Sequence, residues 1–446
     1  MRRTAVLLLV ATALFAADQA SEPAPLPLSL KRAVEVATAP EGCAQIQLSG
    51  EALKQAQARS AETRAALLPD FESSFRYESE TMSLAGLGLN KAFSFPIPGF
   101  QLPTLVGPFD VMDARATAQQ SVFDFSSFRR FQASKAAVSA AKSDVGGAGE
   151  QVAAQVARDY MAAVKADTDV QTAQANVTDS QAVLTQAQHQ KDAGTGTGIE
   201  ITRAKVQLAN DRQRLLVAEN ARRAAHLQLL RAIGMRLDAE VELTDKLQYV
   251  PVDAVTLDAA KALALKQRPD YQAQRQRESS ARLSASATTL ERLPTVSALA
   301  DYGSIGPGLN SARPTRTYGL SIRVPIFDGG RRDAQRAESD SAYRAEEVRT
   351  NDLKAQIELD VRLALDRLRS AEDEVSVARD GADLAENELT QARRRYDAGV
   401  ANSLEVTDAQ TRLERARDNY TAALYDHNLA RIDLAQAMGE VKNLVQ

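Results

Sequence analysis

The stretch RRRYDAGVANSLEVTDAQ, residues 393–410, separates two long segments that both have helical character. The chain contains no proline after Pro325, so nothing of that kind ends a helix before this stretch. Gly399 can adopt the left-handed conformation that commonly terminates a helix, and Asn402 or Ser403 can cap the helix that follows. The stretch therefore predicts the turn of an antiparallel helical hairpin.

A second stretch of the same kind, KDAGTGTGIEITRAK, occupies residues 191–205. A shift of 205 positions places residues 192–194 on residues 397–399 and Glu200 on Glu405. The correspondence continues upstream with small shifts, so a unit of about 200 residues occurs twice, too few copies for a solenoid.

The duplication divides the chain into three expected parts. Arg2 and Arg3 precede a short apolar run, which is typical of a secretory signal peptide. We expect that peptide at residues 1–20, with an uncertain cleavage site, a first repeat at residues 21–240 and a second at residues 241–446. The expected strands lie at about 68–80, 111–123, 294–303 and 316–327, and the expected helical hairpins at about 126–234 and 330–439.

Small and apolar residues recur every three or four positions on both sides of the second turn. Before the turn they are Val361, Ala364, Leu368, Ala371, Val375, Ala378, Ala382, Ala385, Leu389, Ala392 and Tyr396. After the turn they are Val406, Ala409, Leu413, Ala416, Tyr420, Ala423, His427, Ala430, Leu434 and Ala437. A repeat of about 3.5 residues specifies helices that pack as coiled coils. We therefore expect long antiparallel coiled-coil hairpins.

The chain also contains segments in which apolar and polar residues alternate. The best example lies in the second repeat, where Tyr318, Leu320 and Ile322 alternate with polar or small residues. Segments of about ten residues with one apolar face are typical of outer-membrane strands. Four such strands cannot close around a usable pore, so several chains must contribute to one barrel.

Composition and motifs exclude several functional classes. Charged residues make up 25% of the chain and the net charge is −4, which does not indicate nucleic-acid binding. Cys43 is the single cysteine, so no intrachain disulfide is possible. His189, His226 and His427 lie on different helical stretches without metal-ligand spacing, and we expect His427 to be packed and hydrogen-bonded in a helix seam. We therefore expect no enzyme and no catalytic, cofactor-binding or metal-binding residues.

Several motifs together resemble the TolC family of outer-membrane efflux proteins. Residues 191–205 and 396–410 look like the family's hairpin turns. LLPDFESSF at residues 67–75 and RLPTVSALADY at residues 292–302 look like its helix-to-strand junctions, and VPIFDGGRR at residues 324–332 looks like its strand-to-helix junction. The resemblance covers nearly the whole chain after the signal peptide.

This resemblance implies a mainly α fold with membrane β-strands. It further implies a homotrimer, in which three chains form a 12-stranded barrel in outer-membrane lipid and a helical tunnel across the periplasm of a Gram-negative-type cell. The expected partners are a periplasmic adaptor (membrane fusion) protein and an inner-membrane pump, and the expected function is the exit duct of a tripartite efflux or secretion system. The nature of the transported substrate does not follow from the sequence.

Two features depart from the family pattern. Glycines in residues 146–149 interrupt the first long helix near its start, and each costs roughly 1 kcal/mol relative to alanine. A kink or bulge is expected there. Ala401 stands where some relatives carry a basic residue that latches neighbouring protomers, so that latch is not expected here.

Glu405, Asp408 and Tyr396 are the candidate residues of a periplasmic gate. The resemblance matches the two acids, which share one helix face, to carboxylates that ring the tunnel entrance. The simpler interpretation is that Glu405 stabilises the positive end of the helix dipole, as Glu200 would in the first repeat. This simpler interpretation does not explain Asp408, because the equivalent position in the first repeat is occupied by Arg203. For Tyr396 two roles remain possible, namely packing in the helix core and a hydrogen-bonded latch.

The two hairpin turns are the candidate surface for docking the adaptor. The residues concerned are Gly194, Gly196, Gly198, Gly399, Val400 and Ser403. Two other classes of protein remain possible at this point. One is a periplasmic adaptor, although an adaptor has one helical hairpin where this chain has two. The other is a structural coiled-coil protein, which would have no use for a strand with one apolar face.

Overall fold

A computed structural model describes residues 26–87, 103–194, 196–252 and 255–444 of the chain. The expected signal peptide lies outside these residues, as does most of the long Pro- and Gly-containing loop of the first repeat.

Nine helices are present in the described residues. They are α1 (Leu30–Thr38), α2 (Ala44–Ala65), α3 (Phe125–Asp192), α4 (Gly198–Ile233), α5 (Leu257–Gln267), α6 (Pro269–Leu290), α7 (Arg331–Asp397), α8 (Ser403–Met438) and α9 (Val441–Leu444). Among the helices of the described ranges, none is both long and apolar enough to cross a lipid bilayer.

Six strands accompany these helices in the same described ranges. They are β1 (Leu26–Leu28), β2 (Asp70–Ser83), β3 (Leu105–Phe123), β4 (Val241–Leu243), β5 (Thr295–Gly306) and β6 (Arg313–Arg323). The element order places two strands before each pair of long helices, so the predicted duplicated architecture is confirmed.

The long helices form two hairpins, α3–α4 and α7–α8. In the α7–α8 hairpin the predicted apolar stripe is buried, and Leu389 and Ala392 pack with Val406, Ala409 and Leu413 across the seam. In the α3–α4 hairpin a smaller cluster is formed by Leu184, Ala204 and Leu208. Burying this apolar surface, at about 25 cal/mol per Å² removed from water, holds each pair of helices together.

Strands β2, β3, β5 and β6 form one antiparallel sheet in that order. One row across the sheet consists of Phe71, Ala118, Ala300 and Tyr318. The neighbouring row consists of Glu72, Thr117, Asp301 and Thr317. Because successive residues of a strand point to opposite faces, the sheet has one apolar and one polar face.

Two strands have different limits from those expected. β3 begins at Leu105 and is longer than the weakly patterned segment expected from residue 111. β6 ends at Arg323, although alternation suggested a strand to residue 327. Pro325 lacks a backbone donor and restricts the residue before it, which explains why pairing stops there.

A short parallel pair of strands, β1 and β4, was not expected from the sequence. It joins Leu26 to Val241, near the starts of the two repeats. Beside it, the hydroxyl of the buried Tyr160 lies 2.9 Å from the backbone oxygen of Leu28 and 2.7 Å from Asp245 Oδ2. Burial, followed by the hydrogen bond to Asp245, raises the pKa of Tyr160.

The glycines at residues 146–149 do not interrupt the first long helix, because α3 is continuous through them. A Cβ on Gly146 would lie 3.5 Å from the Pro269 side chain, and one on Gly149 would lie 2.7 Å from Lys442 Nζ. The first distance is an ordinary van der Waals contact and the Lys442 side chain is flexible, so neither neighbour requires glycine at these positions.

The chain forms two compact units, and each takes segments from both repeats. One contains the chain up to Gln47, Gly149–Ala260 and the chain from Val361 onward. The other contains Leu48–Ala148 and Lys261–Asp360, and therefore includes the whole four-stranded sheet. Both hairpin turns lie in the first unit.

Candidate functional site

The turn between α7 and α8 has the geometry predicted from its sequence. Gly399 has φ +73°, and its amide donates to Tyr396 O at 3.0 Å, while the amide of Val400 donates to Arg395 O at 3.0 Å. These two bonds satisfy carbonyls at the end of α7 in a Schellman motif. Asn402 then caps α8, because its side-chain oxygen accepts from the amide of Glu405 at 3.1 Å.

The turn between α3 and α4 is built in a similar way. Gly194 has φ +73° and donates to Lys191 O at 2.9 Å, and the amide of Gly196 donates to Gln190 O at 2.9 Å. Glu200 accepts from the amide of Thr197 at 2.9 Å. The acid in the first turn of α4 therefore caps the helix.

Both turns expose apolar side chains. Val400 is 68% exposed, and Ile199 and Leu404 are also exposed at the starts of α4 and α8. Ile199 and Leu404 were not among the candidates from the sequence, although they correspond under the shift of 205 positions that relates the two repeats. Together with Val400 they make up what we call the apolar tip residues.

Tyr396 makes both kinds of contact that the sequence left open. Its ring packs against the α7–α8 seam. Its hydroxyl donates to Gln190 Oε1 on α3 and so links the two hairpins. Burial, followed by the negative charge of Glu200, raises the pKa of Tyr396, so the hydroxyl keeps its proton at neutral pH.

Two further polar links between the hairpins were not found by sequence reasoning. Gln186 Nε2 donates to Asp397 Oδ1 at 2.7 Å, and Arg393 Nη2 lies 3.5 Å from Asp179 Oδ1. The residues of each pair are about 210 positions apart, and local periodicity carries no signal for such partners. The turns of the two hairpins therefore lie side by side.

The two candidate gate acids have different surroundings. Glu405 Oε1 lies 2.9 Å from Arg395 Nε, which belongs to the last turn of α7. Asp408 is exposed one turn further along α8, and Arg203 is likewise exposed on α4. The charge of Glu405 is therefore partly balanced within its own hairpin, and Asp408 is the more accessible of the two carboxylates.

The expectation for His427 is wrong in one respect. The residue is fully buried and its ring packs on Tyr249 with centroids 4.7 Å apart, but neither ring nitrogen has a hydrogen-bond partner among the described residues. Burial, followed by the charge of Arg431, lowers the pKa of His427. Throughout the described ranges, no group of three or more His, Cys, Asp or Glu side chains is arranged to hold a metal ion.

The sequence profile of a known family matches most of the chain. It is described as outer membrane efflux protein, and it matches residues 44–235 and 262–440. The match includes both hairpins and all four strands of the large sheet.

Two curated proteins illustrate the sequence similarity. The alkaline protease secretion protein AprF of Pseudomonas aeruginosa is 23% identical over 327 residues, which is 72% of this chain and 68% of AprF. The pyoverdine export outer membrane protein OpmQ of Pseudomonas putida is 26% identical over 295 residues, which is 64% of this chain and 61% of OpmQ.

Solved structures of similar fold cover almost the whole chain. The outer membrane protein VceC of Vibrio cholerae superposes with a TM-score of 0.78 at 18% identity, over 92% of this chain and 96% of VceC. CusC superposes with the same TM-score and identity, over 92% of each chain. At this level of identity the likeness concerns the fold.

Proposed function

Because the chain belongs to the outer membrane efflux protein family, we propose that it forms the exit duct of a tripartite efflux or secretion system. The chain is located in the outer membrane, and its relatives are transport proteins rather than enzymes. In the proposed system, an inner-membrane pump and a periplasmic adaptor deliver substrate to the duct, which conducts it without a catalytic step.

The main support for this proposal is the four-stranded sheet, which has one apolar and one polar face and two unpaired edge strands. Its apolar face exposes Phe71, Phe75, Tyr318 and Ile322, whereas the other face carries charged and hydroxyl side chains. In the described chain β2 and β6 are the edges of the sheet. Unpaired edges cost several kcal/mol per backbone group in lipid, so they would have to pair with further copies of the chain.

Three copies would close the sheet into a 12-stranded barrel, with β2 of one copy beside β6 of the next. The apolar face would then contact lipid and the polar face would line the duct. A chain with this arrangement of strands fits neither a periplasmic adaptor nor a purely structural coiled coil, the two other classes that the sequence left possible.

The trimer and its conducting pathway are tested together. Purified full-length protein in detergent should have the native mass of three chains, and it should form discrete conducting channels in planar lipid bilayers. The heat-denatured chain serves as the control for both measurements. A native mass corresponding to monomers alone, or an absence of channels, would contradict the proposal.

The hairpin turns are the proposed docking surface for the adaptor. The apolar tip residues Ile199, Val400 and Leu404 are exposed at the two turns, where a partner protein could bury them. An adaptor that ends in a helical hairpin could bury them by packing its own apolar stripe against the tips. The expected occupant is therefore a second helical hairpin rather than lipid.

Substitution at Val400 tests this docking surface. Val400→Asp should abolish export in cells that contain pump and adaptor, because it places a charge in the proposed apolar contact. The trimer and its conductance in bilayers should be unchanged. Val400→Ile, which keeps the side chain apolar, is the matched control and should export normally. Normal export by Val400→Asp would exclude Val400 from the docking surface.

A further inference from the structure

The apolar face of the four-stranded sheet carries a basic residue, Arg316 of β6. The strand registers place it in one row with Ser73, Ala116 and Tyr302. The next row on the same side, two positions along each strand, runs from Phe71 to Tyr318 and belongs to the apolar face. Among the paired residues of these four strands, no other Arg or Lys lies on that face.

Arg316 is exposed, and it has no carboxylate partner in the part of the chain that the structure describes. Among the paired residues of the apolar face, Asp110 is the one acid, and the Tyr77 hydroxyl is hydrogen-bonded to it. Its row lies six positions along β3 from the row of Arg316, which corresponds to roughly 20 Å. Asp110 is therefore too distant to neutralise the guanidinium.

Two arginines of the polar face have different surroundings. Arg115 Nε donates to Asp113 Oδ1 at 2.9 Å, and its Nη1 lies 4.0 Å from Asp301 Oδ1. Arg76 Nη1 lies 3.9 Å from Glu78 Oε1. On the face proposed to line the duct, these arginines have carboxylates beside them, whereas the arginine on the face proposed to contact lipid has none.

Assembly into the proposed barrel would not supply the missing partner. In that barrel β6 of one copy lies beside β2 of the next, and the apolar-face residues in the middle of β2 are Phe71, Ser73, Phe75, Tyr77 and Ser79. The segments that join the strands at the end of the sheet away from the helices, residues 84–104 and 307–312, contain no Asp or Glu. A negative group that neutralises Arg316 would therefore come from outside the protein.

The position of Arg316 along the chain fits the level of lipid headgroups. From Arg316 toward the helices, the alternate side chains are all apolar and exposed; they are Tyr318, Leu320, Ile322, Val324 and Ile326. Ten residues of extended chain, tilted by about 40°, span roughly 25 Å along the membrane normal, which is about the height of the apolar band of an outer-membrane barrel. Arg316 therefore lies at the edge of the band nearer the cell exterior.

Two exposed tyrosines flank Arg316 on the same face. Tyr302 lies directly opposite it on β5 and is 67% exposed, and Tyr318 lies two positions along β6 and is 81% exposed. Tyrosine is enriched where lipid chains meet headgroups, because its ring is apolar and its hydroxyl is polar. An arginine at the same level can extend its apolar stem along lipid while its guanidinium reaches the headgroups.

We propose that Arg316, beside Tyr302 and Tyr318, binds the phosphate group of a lipid in the outer leaflet of the outer membrane, at one site per chain. The planar guanidinium offers paired N–H donors that match two phosphate oxygens, and the tyrosine rings pack against the lipid chains below the headgroup. The inference rests on the proposed function, because it requires the apolar face of the sheet to contact lipid.

Two lipids with identical acyl chains test the site by native mass spectrometry of the full-length trimer in detergent. Dioleoyl phosphatidic acid has a phosphate headgroup, and dioleoylglycerol has none. Wild type should bind up to three molecules of phosphatidic acid per trimer, with an affinity about tenfold higher than that for dioleoylglycerol. Inorganic phosphate at the concentration of the lipid should not displace phosphatidic acid. Equal competition by inorganic phosphate would indicate a site for free phosphate and overturn the inference.

Arg316→Gln should lower the affinity for phosphatidic acid about tenfold and leave the binding of dioleoylglycerol unchanged, because only the charged contact is lost. Arg313→Gln is the matched control. It removes an arginine of the same strand, three positions away and therefore on the polar face, and binding should stay as in wild type. Wild-type affinity in Arg316→Gln, or an equal loss in both variants, would overturn the inference.

The same spectra report assembly. If Arg316→Gln does not form trimers, wild type and Arg313→Gln decide the question. A preference for phosphatidic acid over dioleoylglycerol that Arg313→Gln retains would support the site, and equal affinity of wild type for the two lipids would overturn it. A wild-type chain that occurs only as monomers would instead refute the proposed function.

Discussion

At the scale of single residues, side chains at the hairpin turns either pack in an apolar seam or form polar contacts, some of which join the two hairpins. Tyr396 closes the apolar seam of one hairpin with its ring and reaches the other hairpin with its hydroxyl. Glu405 is held by Arg395, and Glu200 caps its own helix. The first-turn acids therefore have structural roles as well as the proposed electrostatic one, and only substitutions that change one role at a time can separate them.

The hydroxyl of Tyr396 is tested by Tyr396→Phe. The change removes the hydrogen bond to Gln190 and keeps the packed ring, so the closed tip should lose about 1 kcal/mol. The open fraction in bilayers should rise accordingly, with the trimer intact. Tyr420→Phe, at a half-buried seam position of α8, is the control and should gate normally. An unchanged open fraction in Tyr396→Phe would show that the residue acts through packing alone.

His427 predicts a dependence of stability on pH. Its pKa is lowered in the folded state, so its contribution to stability is present above the unfolded pKa of about 6.5 and is lost as the pH falls through the lower folded value. His427→Phe keeps a ring against Tyr249 and cannot be protonated. The melting temperature should therefore fall more for wild type than for the variant between pH 7.5 and 5. Equal losses would assign the acid sensitivity to other groups.

At the scale of helices and strands, the turns and the sheet depend on a few backbone positions. Gly399 ends α7 with a positive φ, whereas Gly198 begins α4 and has no neighbouring atom within 4 Å of the place that a Cβ would occupy. The two glycines therefore differ in what a side chain would cost. One position needs the left-handed conformation and the other tolerates any good helix former.

Gly399→Val should damage the second turn. A left-handed residue with a branched side chain costs about 1–2 kcal/mol or more, which would distort the Schellman motif and displace the neighbouring Val400. Export should fall, measured in cells that contain pump and adaptor. Gly381→Ala, at an exposed glycine of α7 away from both turns, is the control and should export normally. Normal assembly and wild-type export by Gly399→Val would show that partners do not meet at this tip.

The two faces of β6 give a matched pair of substitutions. Ile322→Arg places a charge on the apolar face and should cost roughly 2–4 kcal/mol if the residue lies near the middle of the membrane. Ser321→Arg places the same charge on the polar face and should be tolerated. The amount of trimer in the outer-membrane fraction measures both effects. Equal amounts of trimer for the two variants would contradict the assignment of the apolar face of β6 to lipid and of its polar face to the duct.

At the scale of the whole molecule, the proposed threefold assembly would bring together charges that are far apart in one chain. Three copies of Glu405 and Asp408 amount to six carboxylates near the periplasmic opening. Like charges at close range attract cations. Arg395 balances Glu405 in part, so Asp408 is expected to contribute more to cation selectivity.

The double substitution Glu405→Gln with Asp408→Asn tests this electrostatic gate. Cation selectivity and block by multivalent cations from the periplasmic side should both weaken, while the trimer persists. Glu388→Gln removes a carboxylate of the same hairpin that pairs with Arg412 at 2.6 Å, and it should leave both properties unchanged. Unchanged selectivity and block in the double variant would leave the two acids with a helix-start role only.

Much of the fold was determined by local sequence pattern. The heptad stripe around Leu389 and Leu413, the positive-φ glycine at residue 399 and the cap at Asn402 all lie where the sequence placed them. Such features depend on residues at most a few turns apart, because helix periodicity, capping and turn chemistry are short-range effects. The duplication provided a second, independent occurrence of each pattern.

Other features were decided by tertiary structure. The helix passes unbroken through residues 146–149, where Pro269 and Lys442 lie beside it and the local sequence suggested an interruption. The partner of Tyr396 lies 206 positions away in Gln190, and Arg214 meets Glu414 across 200 positions. These pairs depend on how the two hairpins pack side by side, and such long-range side-chain contacts have no counterpart in the local periodicity of the sequence.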